Sequence, residues 1–312
     1  MTPRLLALDW GSSQLRAWLM GPNAELLQER CSADGASRLQ PGPAAFEQAL
    51  RSLTGDWLAA YPQLPILACG MVGSAHGWRE APYVTCPVAL DDLHRQAVLV
   101  QGTQGLQLRL IPGLCQRPAN QPPDVMRGEE TQLAGLLAQQ PQLARTACVV
   151  MPGTHSKGVE LRGGQVHSFA TRMTGELFAV LREHSVLGRL LQSSSSFDDR
   201  AFAGGVRAAR ESGGADLGRL LFAVRTLGLF DQLPRESLAD YLSGLLIACE
   251  LVCALQGLDA QTPLVLVGEP TLCDRYALAI GLLCGPGRSV MRSGERLAAH
   301  GLWHFAERAG WT

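Results

Sequence analysis

The stretch Met151-Pro152-Gly153-Thr154-His155-Ser156-Lys157 lies between two apolar runs, which predicts a tight turn joining two β-strands. Gly153 permits a close approach of the backbone, and the three residues after it add hydroxyl and imidazole groups to the backbone amides. Such a turn suits phosphate oxygens. Lys157 is the only lysine among the 27 lysine and arginine residues of the chain. Either the site requires the compact ammonium group of lysine, or an arginine-rich sequence has kept one lysine by chance.

A second copy of this pattern lies near the N-terminus, at Asp9-Trp10-Gly11-Ser12-Ser13. With a shift of 142 residues, the two segments align through these turns and through the hairpin turns that follow them. The aligned pairs are Gly11 with Gly153, Ser12 with Thr154, Leu19 with Leu161 and Gly21 with Gly163. Chance alignment among 34 glycines is the alternative, but the shared strand–turn–strand order favours a duplicated architecture.

The periodicity of apolar residues predicts an α/β fold. Strands are expected at 5–8, 14–20, 25–31, 65–69, 106–111, 263–267 and 289–291, with a second three-strand meander at 146–173. Helices are expected at 44–61, 175–191, 198–210, 216–227, 234–255, 272–283 and 294–309, and one more begins after Gly128. Because domains typically run to about 100–200 residues, the duplication predicts one domain at 1–140 and another at 141–312.

Composition favours a soluble globular protein: 46% of the 312 residues are hydrophobic, 18% are charged and the net charge is −1. A basic stripe that would bind nucleic acid is not evident, and neither a signal peptide nor an unbroken apolar run of membrane-spanning length is expected. The nine cysteines form no CxxC motif, so reduced thiols in a cytoplasmic protein are expected. The pairs Cys249/Cys253 and His300/His304 share helix faces, and both are interpreted as packing rather than metal ligands.

A duplicated fold with two glycine–hydroxyl turns has a chemical use. The backbone amides of each turn can hold phosphate oxygens, and a cleft between two halves can close around a nucleotide. Asp9, at the end of the first strand, is placed to hold Mg²⁺ through water, because Mg²⁺ gives up its water reluctantly. A structural Asx turn before Gly11 is the alternative for Asp9.

The segment Asp9-Trp10-Gly11-Ser12-Ser13, with Arg16-Ala17-Trp18, resembles the first phosphate motif of the sugar kinase/heat-shock protein 70/actin superfamily. Further segments resemble the 2-dehydro-3-deoxygalactonokinase family within it. They are Gly70-Met71-Val72-Gly73-Ser74 with Gly77-Trp78, Ile111-Pro112-Gly113-Leu114-Cys115, Val125-Met126-Arg127-Gly128-Glu129-Glu130-Thr131-Gln132-Leu133, Met151 to Lys157, Met173-Thr174-Gly175-Glu176-Leu177 and Leu242-Ser243-Gly244-Leu245-Leu246.

This resemblance implies an actin-like ATPase fold of two ribonuclease-H-like domains around a nucleotide cleft. The N-terminal domain would bind the sugar and the C-terminal domain the nucleotide. The family uses ATP to phosphorylate the C6 hydroxyl of 2-dehydro-3-deoxy-D-galactonate in galactonate catabolism. A small sugar acid is therefore the expected ligand, with ATP and Mg²⁺ as cofactors and a homodimer as the expected assembly. A kinase for another sugar acid, such as 2-dehydro-3-deoxygluconate, and a non-kinase actin-like ATPase remain alternatives.

The resemblance also assigns roles to residues. Asp9 is the expected magnesium ligand, and the base that takes the hydroxyl proton is expected from Glu129 or Glu130, with Glu129 preferred. The other glutamate would then only complement the helix dipole. Gly268 marks the expected adenosine-binding segment, where Glu269-Pro270 departs from the small residues expected. The expected phosphate contacts are Gly11, Ser12, Ser13, Gly153, Thr154, His155 and Lys157.

The sugar acid requires a group that recognises its carboxylate, and Arg127 and Arg16 are the candidates. A loop between a buried strand and the next element is expected to line the sugar. Its candidate residues are Gly70, Met71, Gly73, Ser74 and Trp78. Glu176 either bonds substrate hydroxyls or only starts its helix.

Overall fold

A computed structural model describes residues 2–194, 196–285, 287–293 and 296–312. The chain divides into two compact units. The first unit consists of Met1–Thr146, Leu161–Ser168 and Gly294–Thr312, and the second of Ala147–Glu160 and Phe169–Ser293.

The described residues form fifteen strands and eight α-helices. The strands are β1 (Leu5–Trp10), β2 (Leu15–Met20), β3 (Leu26–Ser32), β4 (Ile66–Gly70), β5 (Tyr83–Thr85), β6 (Val88–Ala89), β7 (Val98–Gln101), β8 (Gln107–Leu110), β9 (Gly113–Gln116), β10 (Asp124–Met126), β11 (Thr146–Met151), β12 (Ser156–Arg162), β13 (Gln165–Arg172), β14 (Leu264–Leu266) and β15 (Val290–Arg292). The helices are α1 (Pro43–Ala60), α2 (Glu129–Gln139), α3 (Thr174–His184), α4 (Asp199–Glu211), α5 (Leu217–Leu229), α6 (Leu238–Ala254), α7 (Pro270–Cys284) and α8 (Leu297–Arg308).

The main sheet of the first unit has the strand order β3-β2-β1-β4-β8-β7. β1 pairs antiparallel with β2 and parallel with β4, so all six of its residues are buried. α1 covers this sheet because Phe46, Leu50 and Trp57 recur at helical spacing and are buried in the same apolar core. A separate three-stranded sheet has the order β10-β9-β5.

The sheet that carries the second unit repeats this order as β13-β12-β11-β14-β15, with β6 added beside β13. β11 and β14 are parallel, as β1 and β4 are in the first unit. The duplication predicted from the 142-residue shift is therefore confirmed in the strand order. The core of the second unit lies between this sheet and helices α4, α6 and α7.

The helix pair α4–α6 is closely packed. A Cβ atom at Gly205 would lie 2.1 Å from the carbonyl oxygen of Tyr241, and one at Gly244 would lie 2.2 Å from that of Phe202. Among the described residues, the segment 235–254 alone is long and apolar enough to cross a membrane, with a mean hydropathy of 1.5. Since 67% of its most apolar window is buried and it packs against α4, we interpret α6 as a core helix.

The C-terminal helix α8 belongs with the first unit, which differs from the expected domain at 141–312. α8 packs on α2 through glycines on both helices. A Cβ atom at Gly301 would lie 1.9 Å from the carbonyl oxygen of Thr131, and one at Gly135 would lie 2.0 Å from that of Leu297. The hairpin tip at 161–168 also belongs to the first unit, where Val166 of β13 pairs with Val88 of β6. Periodicity identifies a buried helix face but not the unit against which that face packs.

Two further expectations need correction. The helix expected at 175–191 ends at His184, and the short strands β5, β6, β7, β9 and β10 were not predicted because they are too brief to show alternation. The expected start of the last helix, Gly294, lies outside the described residues, and the described helix begins at Leu297.

Replacing Gly301 by alanine is expected to destabilise the protein by about 1–3 kcal/mol, because the new methyl group would force α8 away from α2. Gly55 in α1 provides the matched control, since a Cβ atom there would meet nothing within 4 Å. Gly55→Ala should stabilise the helix by about 0.5–1 kcal/mol. Urea unfolding measures both, and equal effects of the two substitutions would contradict the close packing.

Candidate active site

Asp9 lies near the C-terminal end of β1 and is 9% exposed. Its carboxylate is 3.8 Å from Arg16 Nη1 on the neighbouring strand, and Cys69 Sγ lies 4.0 Å away. Burial raises the pKa of Asp9 above its usual value; the charge of Arg16 opposes this rise and that of Glu129 adds to it. A buried carboxylate whose charge is only partly compensated fits a cation.

The described residues contain no group of three or more His, Cys, Asp or Glu side chains that could hold a metal ion. Asp9 would therefore contribute one oxygen, with water and phosphate completing the shell. That arrangement suits Mg²⁺, which binds through few protein ligands and retains water.

In the turn that follows Asp9, two backbone carbonyl groups accept hydrogen bonds, whereas the amides of Ser12 and Ser13 donate none to described protein groups. The carbonyl oxygens of Gly11 and Ser12 accept hydrogen bonds from the amides of Ala36 (2.9 Å) and Ser37 (3.0 Å). Ser12 and Ser13 are exposed, and within the described structure their own amides donate to no protein group. Adjacent amides of this kind form an anion-binding turn, as the sequence predicts.

Two glycines bring the start of α2 beside the end of β4. Gly70 has φ +89° and Gly128 has φ +108°, conformations that favour glycine. A Cβ atom at Gly128 would lie 3.3 Å from the Cα of Gly70, whose own Cβ would lie 2.7 Å from the carbonyl oxygen of Trp10. The first turn of α2 is thereby held near the end of β1, where Asp9 lies.

Glu129 and Glu130 have different environments in this first turn. Glu129 is partly exposed, and its Oε2 accepts a hydrogen bond from the amide of Arg127 at 3.0 Å. Glu130 is fully buried; Oε2 accepts from the amide of Gly128 (2.7 Å) and Oε1 from the hydroxyl of Thr131 (3.0 Å). Burial, with a contribution from Glu129, raises the pKa of Glu130 to about 8. Of these two glutamates, only Glu129 therefore offers an accessible carboxylate.

The raised pKa of Glu130 predicts a pH-dependent stability. Its folded pKa of about 8 exceeds the usual glutamate value of 4.5, so the folded state binds more protons between these values and stability falls as pH rises. Glu130→Gln removes the titrating carboxyl group and with it this fall in stability at higher pH. The stability of the variant relative to the parent should increase by roughly 3 kcal/mol between about pH 5.5 and about pH 8. Chemical unfolding at the two pH values measures this, and a constant difference would contradict it.

Arg127 is buried at the end of β10 with incomplete hydrogen bonding. Its Nη2 donates to the carbonyl oxygen of Ala81 at 2.8 Å, and its guanidinium lies 4.2 Å from the ring centroid of Tyr83. Nε and Nη1 are buried without a hydrogen-bond partner in the described structure. A Cβ atom at Gly73 would lie 3.0 Å from Nη1, so the Gly70–Ser74 segment covers this group. Unpaired donors on a buried cation are costly, and an anion would satisfy them.

The loop after β4 places its backbone near Arg127, whereas the side chain of Trp78 at its end is buried. Met71 and Ser74 are partly exposed, whereas Gly70 and Gly73 are buried. Trp78 was expected to line the sugar, but it is 4% exposed and packs against Trp10 and Phe46, at ring-centroid distances of 6.3 and 6.5 Å. The glycine-rich loop folds back, and the indole becomes part of the core of the first unit.

The 153–155 turn of the second unit corresponds to the turn after Asp9 and has the same hydrogen-bond pattern. Its carbonyl oxygens are bonded, since Thr154 O accepts from the amide of Glu176 at 3.0 Å and His155 O accepts from Lys157 Nζ at 2.9 Å. The amides of Gly153, Thr154 and His155 donate to no described protein group. Glu176 lies at the start of α3 and hydrogen-bonds His155 Nε2, so its carboxylate orients that imidazole. This is a role that the sequence did not predict.

Lys157 is 4% exposed, so it is a buried residue of β12. Its ammonium group donates a hydrogen bond to the backbone carbonyl oxygen of His155, within the turn. The residue thereby adds positive charge beneath the amides that face outward.

Two neighbouring cavities lie in the second unit, and the smaller one adjoins this turn. One, of about 110 Å³, is lined by Gly153, Thr174 and Tyr276 among others, and the other, of about 580 Å³, is more polar. Phe178 and Arg275 line both. Neither residue belongs to a motif that is evident in the sequence.

Gly268 contacts the turn rather than these cavities. A Cβ atom there would lie 3.2 Å from the carbonyl oxygen of Pro152. Glu269, which departs from the expected small residue, is the N-cap of α7; it accepts hydrogen bonds from the amides of Thr271 (3.0 Å) and Leu272 (2.8 Å). Pro270 occupies the first helical position, where its missing N–H costs nothing.

Comparison with known proteins places this arrangement in a family. The model of the 2-keto-3-deoxy-galactonokinase family matches residues 9–305, from Asp9 into α8. The chain belongs to this family. The family consists of carbohydrate kinases, so the resemblance identified from the sequence motifs is confirmed and the chain is a carbohydrate kinase.

Relatives of the family match nearly the whole chain. The 2-dehydro-3-deoxygalactonokinase of Escherichia coli (strain K12) is 36% identical over 306 residues, which cover 96% of this chain and 99% of the relative. A crystal structure of a candidate 2-dehydro-3-deoxygalactonokinase from Sinorhizobium meliloti superposes with a TM-score of 0.85 at 36% identity, covering 98% and 99% of the two chains.

A more distant structure shows the fold alone. The activator of the 2-hydroxyisocaproyl-CoA dehydratase from Clostridium difficile, solved with bound ADPNP, has a TM-score of 0.50 at 14% identity and covers 98% of this chain and 96% of its own. The fold of the family is the actin-like ATPase and sugar kinase fold, as predicted. Kinase membership also supports the use of ATP.

Proposed function

We propose that this chain transfers the γ-phosphoryl group of ATP to the C6 hydroxyl of 2-dehydro-3-deoxy-D-galactonate, a step of galactonate catabolism. The observation that carries the proposal is the grouping of Asp9 with Glu129. The strand that ends near Asp9 continues into a turn with unused amides, and α2 brings Glu129 close enough for its charge to affect Asp9. Phosphate binding, charge neutralisation and proton removal are thus available in one unit.

Glu129 is the proposed base. Its partly exposed carboxylate takes the proton of the C6 hydroxyl as the oxygen forms a bond to the γ-phosphorus. The bond from that phosphorus to the bridging oxygen breaks, and ADP leaves with the electron pair. Mg²⁺, held by Asp9 through water, would neutralise phosphate charge when bound. The amides of Ser12 and Ser13 orient phosphate oxygens in the first unit.

The second unit is proposed to hold the nucleotide. The amides of the 153–155 turn would bind phosphate oxygens above the charge of Lys157. The two neighbouring cavities would take the nucleoside, because the smaller is apolar enough for a flat ring and the larger provides polar groups around it. Phe178 and Arg275, common to both cavities, are the proposed nucleoside contacts. Gly268 would act indirectly, by packing against the turn at Pro152.

Arg127 is the proposed receptor for the carboxylate of the sugar acid. The buried guanidinium of Arg127, with two donors that lack partners in the described structure, is better suited to bind an anion than that of Arg16. The Arg16 guanidinium is exposed and already lies near Asp9. A carboxylate would accept a hydrogen bond from one of these unpaired donors when the loop containing Gly73 shifts. Met71 and Ser74 on the same loop would then face the sugar.

Acceptor-dependent ADP release tests the proposal. We expect rapid release with ATP and 2-dehydro-3-deoxygalactonate, slower release with 2-dehydro-3-deoxygluconate, and very little with buffer alone. Faster turnover of the gluconate epimer would assign the enzyme to that acid. Release that does not depend on any acceptor would instead identify a non-kinase ATPase. A homodimer and a cytoplasmic location are part of the same proposal, and sedimentation of the purified protein tests the first.

A further inference from the structure

A carboxylate is buried in the core of the second unit. Glu250 on α6 is 3% exposed, and its described contacts are three hydroxyl groups. Ser156 Oγ donates to Oε1 at 2.5 Å, while Thr174 Oγ1 and Tyr276 OH donate to Oε2 at 2.5 and 2.6 Å. An apolar side chain of similar size would fill this position without the desolvation that a carboxylate suffers. The acid therefore requires an explanation beyond packing.

The three donors come from the elements that surround the 153–155 turn. Ser156 begins β12 directly after the turn. Thr174 begins α3, and the next residue touches the turn, since a Cβ atom at Gly175 would lie 2.5 Å from the carbonyl oxygen of Gly153. Tyr276 belongs to α7 and lines the 110 Å³ cavity beside Gly153 and Thr174.

We propose that Glu250 is a positioning residue for the nucleotide. Through Ser156 and Thr174 it fixes both flanks of the turn whose amides face outward, and through Tyr276 it fixes the wall of the adjoining cavity. Its two carboxylate oxygens can accept all three bonds at once, which an amide can do only if a donor reverses. This inference rests on the proposed function, because the ligand to be positioned is ATP.

The three hydrogen-bond donors to Glu250 are hydroxyl groups rather than cations, which fits a positioning role. An arginine or lysine beside Glu250 would place a second charge against the turn and could hold phosphate directly. Hydroxyl donors fix geometry while leaving the charge of the site to Lys157 and the amides. Glu250 would therefore affect nucleotide binding more than the reaction of the sugar acid in the first unit.

Steady-state kinetics of Glu250→Gln and Tyr276→Phe test the inference. For each variant, the KM for ATP should rise about tenfold, whereas the KM for the sugar acid should stay within about twofold of the parent. Tyr241→Phe is the matched control, because Tyr241 lies in the same unit and its hydroxyl makes no hydrogen bond in the described structure. It should leave both KM values unchanged.

Direct titration with a non-hydrolysable ATP analogue and Mg²⁺ separates this inference from the proposed function. A parent protein that binds no nucleotide would overturn the function and the inference with it. A parent that binds ATP and phosphorylates the acid, with Glu250→Gln and Tyr276→Phe showing unchanged KM values for ATP, would overturn the inference alone. If Glu250→Gln does not fold, Tyr276→Phe decides: a rise confined to the KM for ATP supports positioning, and an equal rise of both KM values contradicts it.

Discussion

Replacing Glu129 by glutamine is expected to lower kcat by about 100-fold to 10,000-fold, the usual contribution of a general base. Glutamine keeps the size of the side chain and can still accept the hydrogen bond from the amide of Arg127, so the start of α2 should be unchanged. The dissociation constant for ATP should stay within about twofold. Single-turnover kinetics and nucleotide titration measure the two effects separately.

Glu130→Gln is the matched control for this prediction. Burial raises the pKa of Glu130 to about 8, so near neutral pH the carboxyl is largely protonated and an amide resembles it closely. We expect kcat within about tenfold of the parent. An inactive Glu130→Gln beside an active Glu129→Gln would assign the base to the buried glutamate.

The two antiparallel meanders could be predicted because their determinants are local. Gly11 and Gly153 mark turns within continuous stretches, and alternation of apolar residues around them defines the hairpins. The approach of Glu129 to Asp9 could not be predicted in the same way. It depends on the parallel register of β1 with β4 and on the contact of Gly70 with Gly128, which join segments far apart in the sequence.

The sequence also led to a wrong prediction for one side chain and to no prediction for two others. Trp78 was expected to line the sugar together with the Gly70–Ser74 loop, yet its position beside Trp10 places it in the core. Glu250 carried a usable signal, since a single acid in the later turns of an apolar helix is unusual and calls for partners. Tyr83 carried none, because its contact with Arg127 depends on the three-stranded sheet that the sequence did not predict.

Replacing Arg127 by methionine is expected to raise the KM for the sugar acid by about 100-fold or more. Loss of one partner from a desolvated charge pair costs roughly 2–5 kcal/mol, because the carboxylate is left without its donors. The KM for ATP should stay within about twofold. Since methionine removes a buried cation with two unpaired donors, the variant should be as stable as the parent in urea unfolding.

Arg109→Met is the control for the loss of an arginine stacked on an aromatic ring. The Arg109 guanidinium lies 4.5 Å from the ring of Trp311 in the same unit, as that of Arg127 lies 4.2 Å from Tyr83. This substitution should leave both KM values within about twofold. A similar loss in Arg109→Met would mean that the effect arises from the fold of the unit.

The charge of the substrate provides the sharper test, because Arg127 and Arg16 are competing receptors. The parent should favour the sugar acid over its neutral C1 amide in kcat/KM, since a charge-assisted guanidinium–carboxylate hydrogen bond is replaced by a weaker bond in the amide. Arg127→Met should abolish this preference, whereas Arg16→Met should retain it. Retention of the preference in Arg127→Met, with its loss in Arg16→Met, would assign the carboxylate to the arginine beside Asp9. The buried donors of Arg127 would then require another anion.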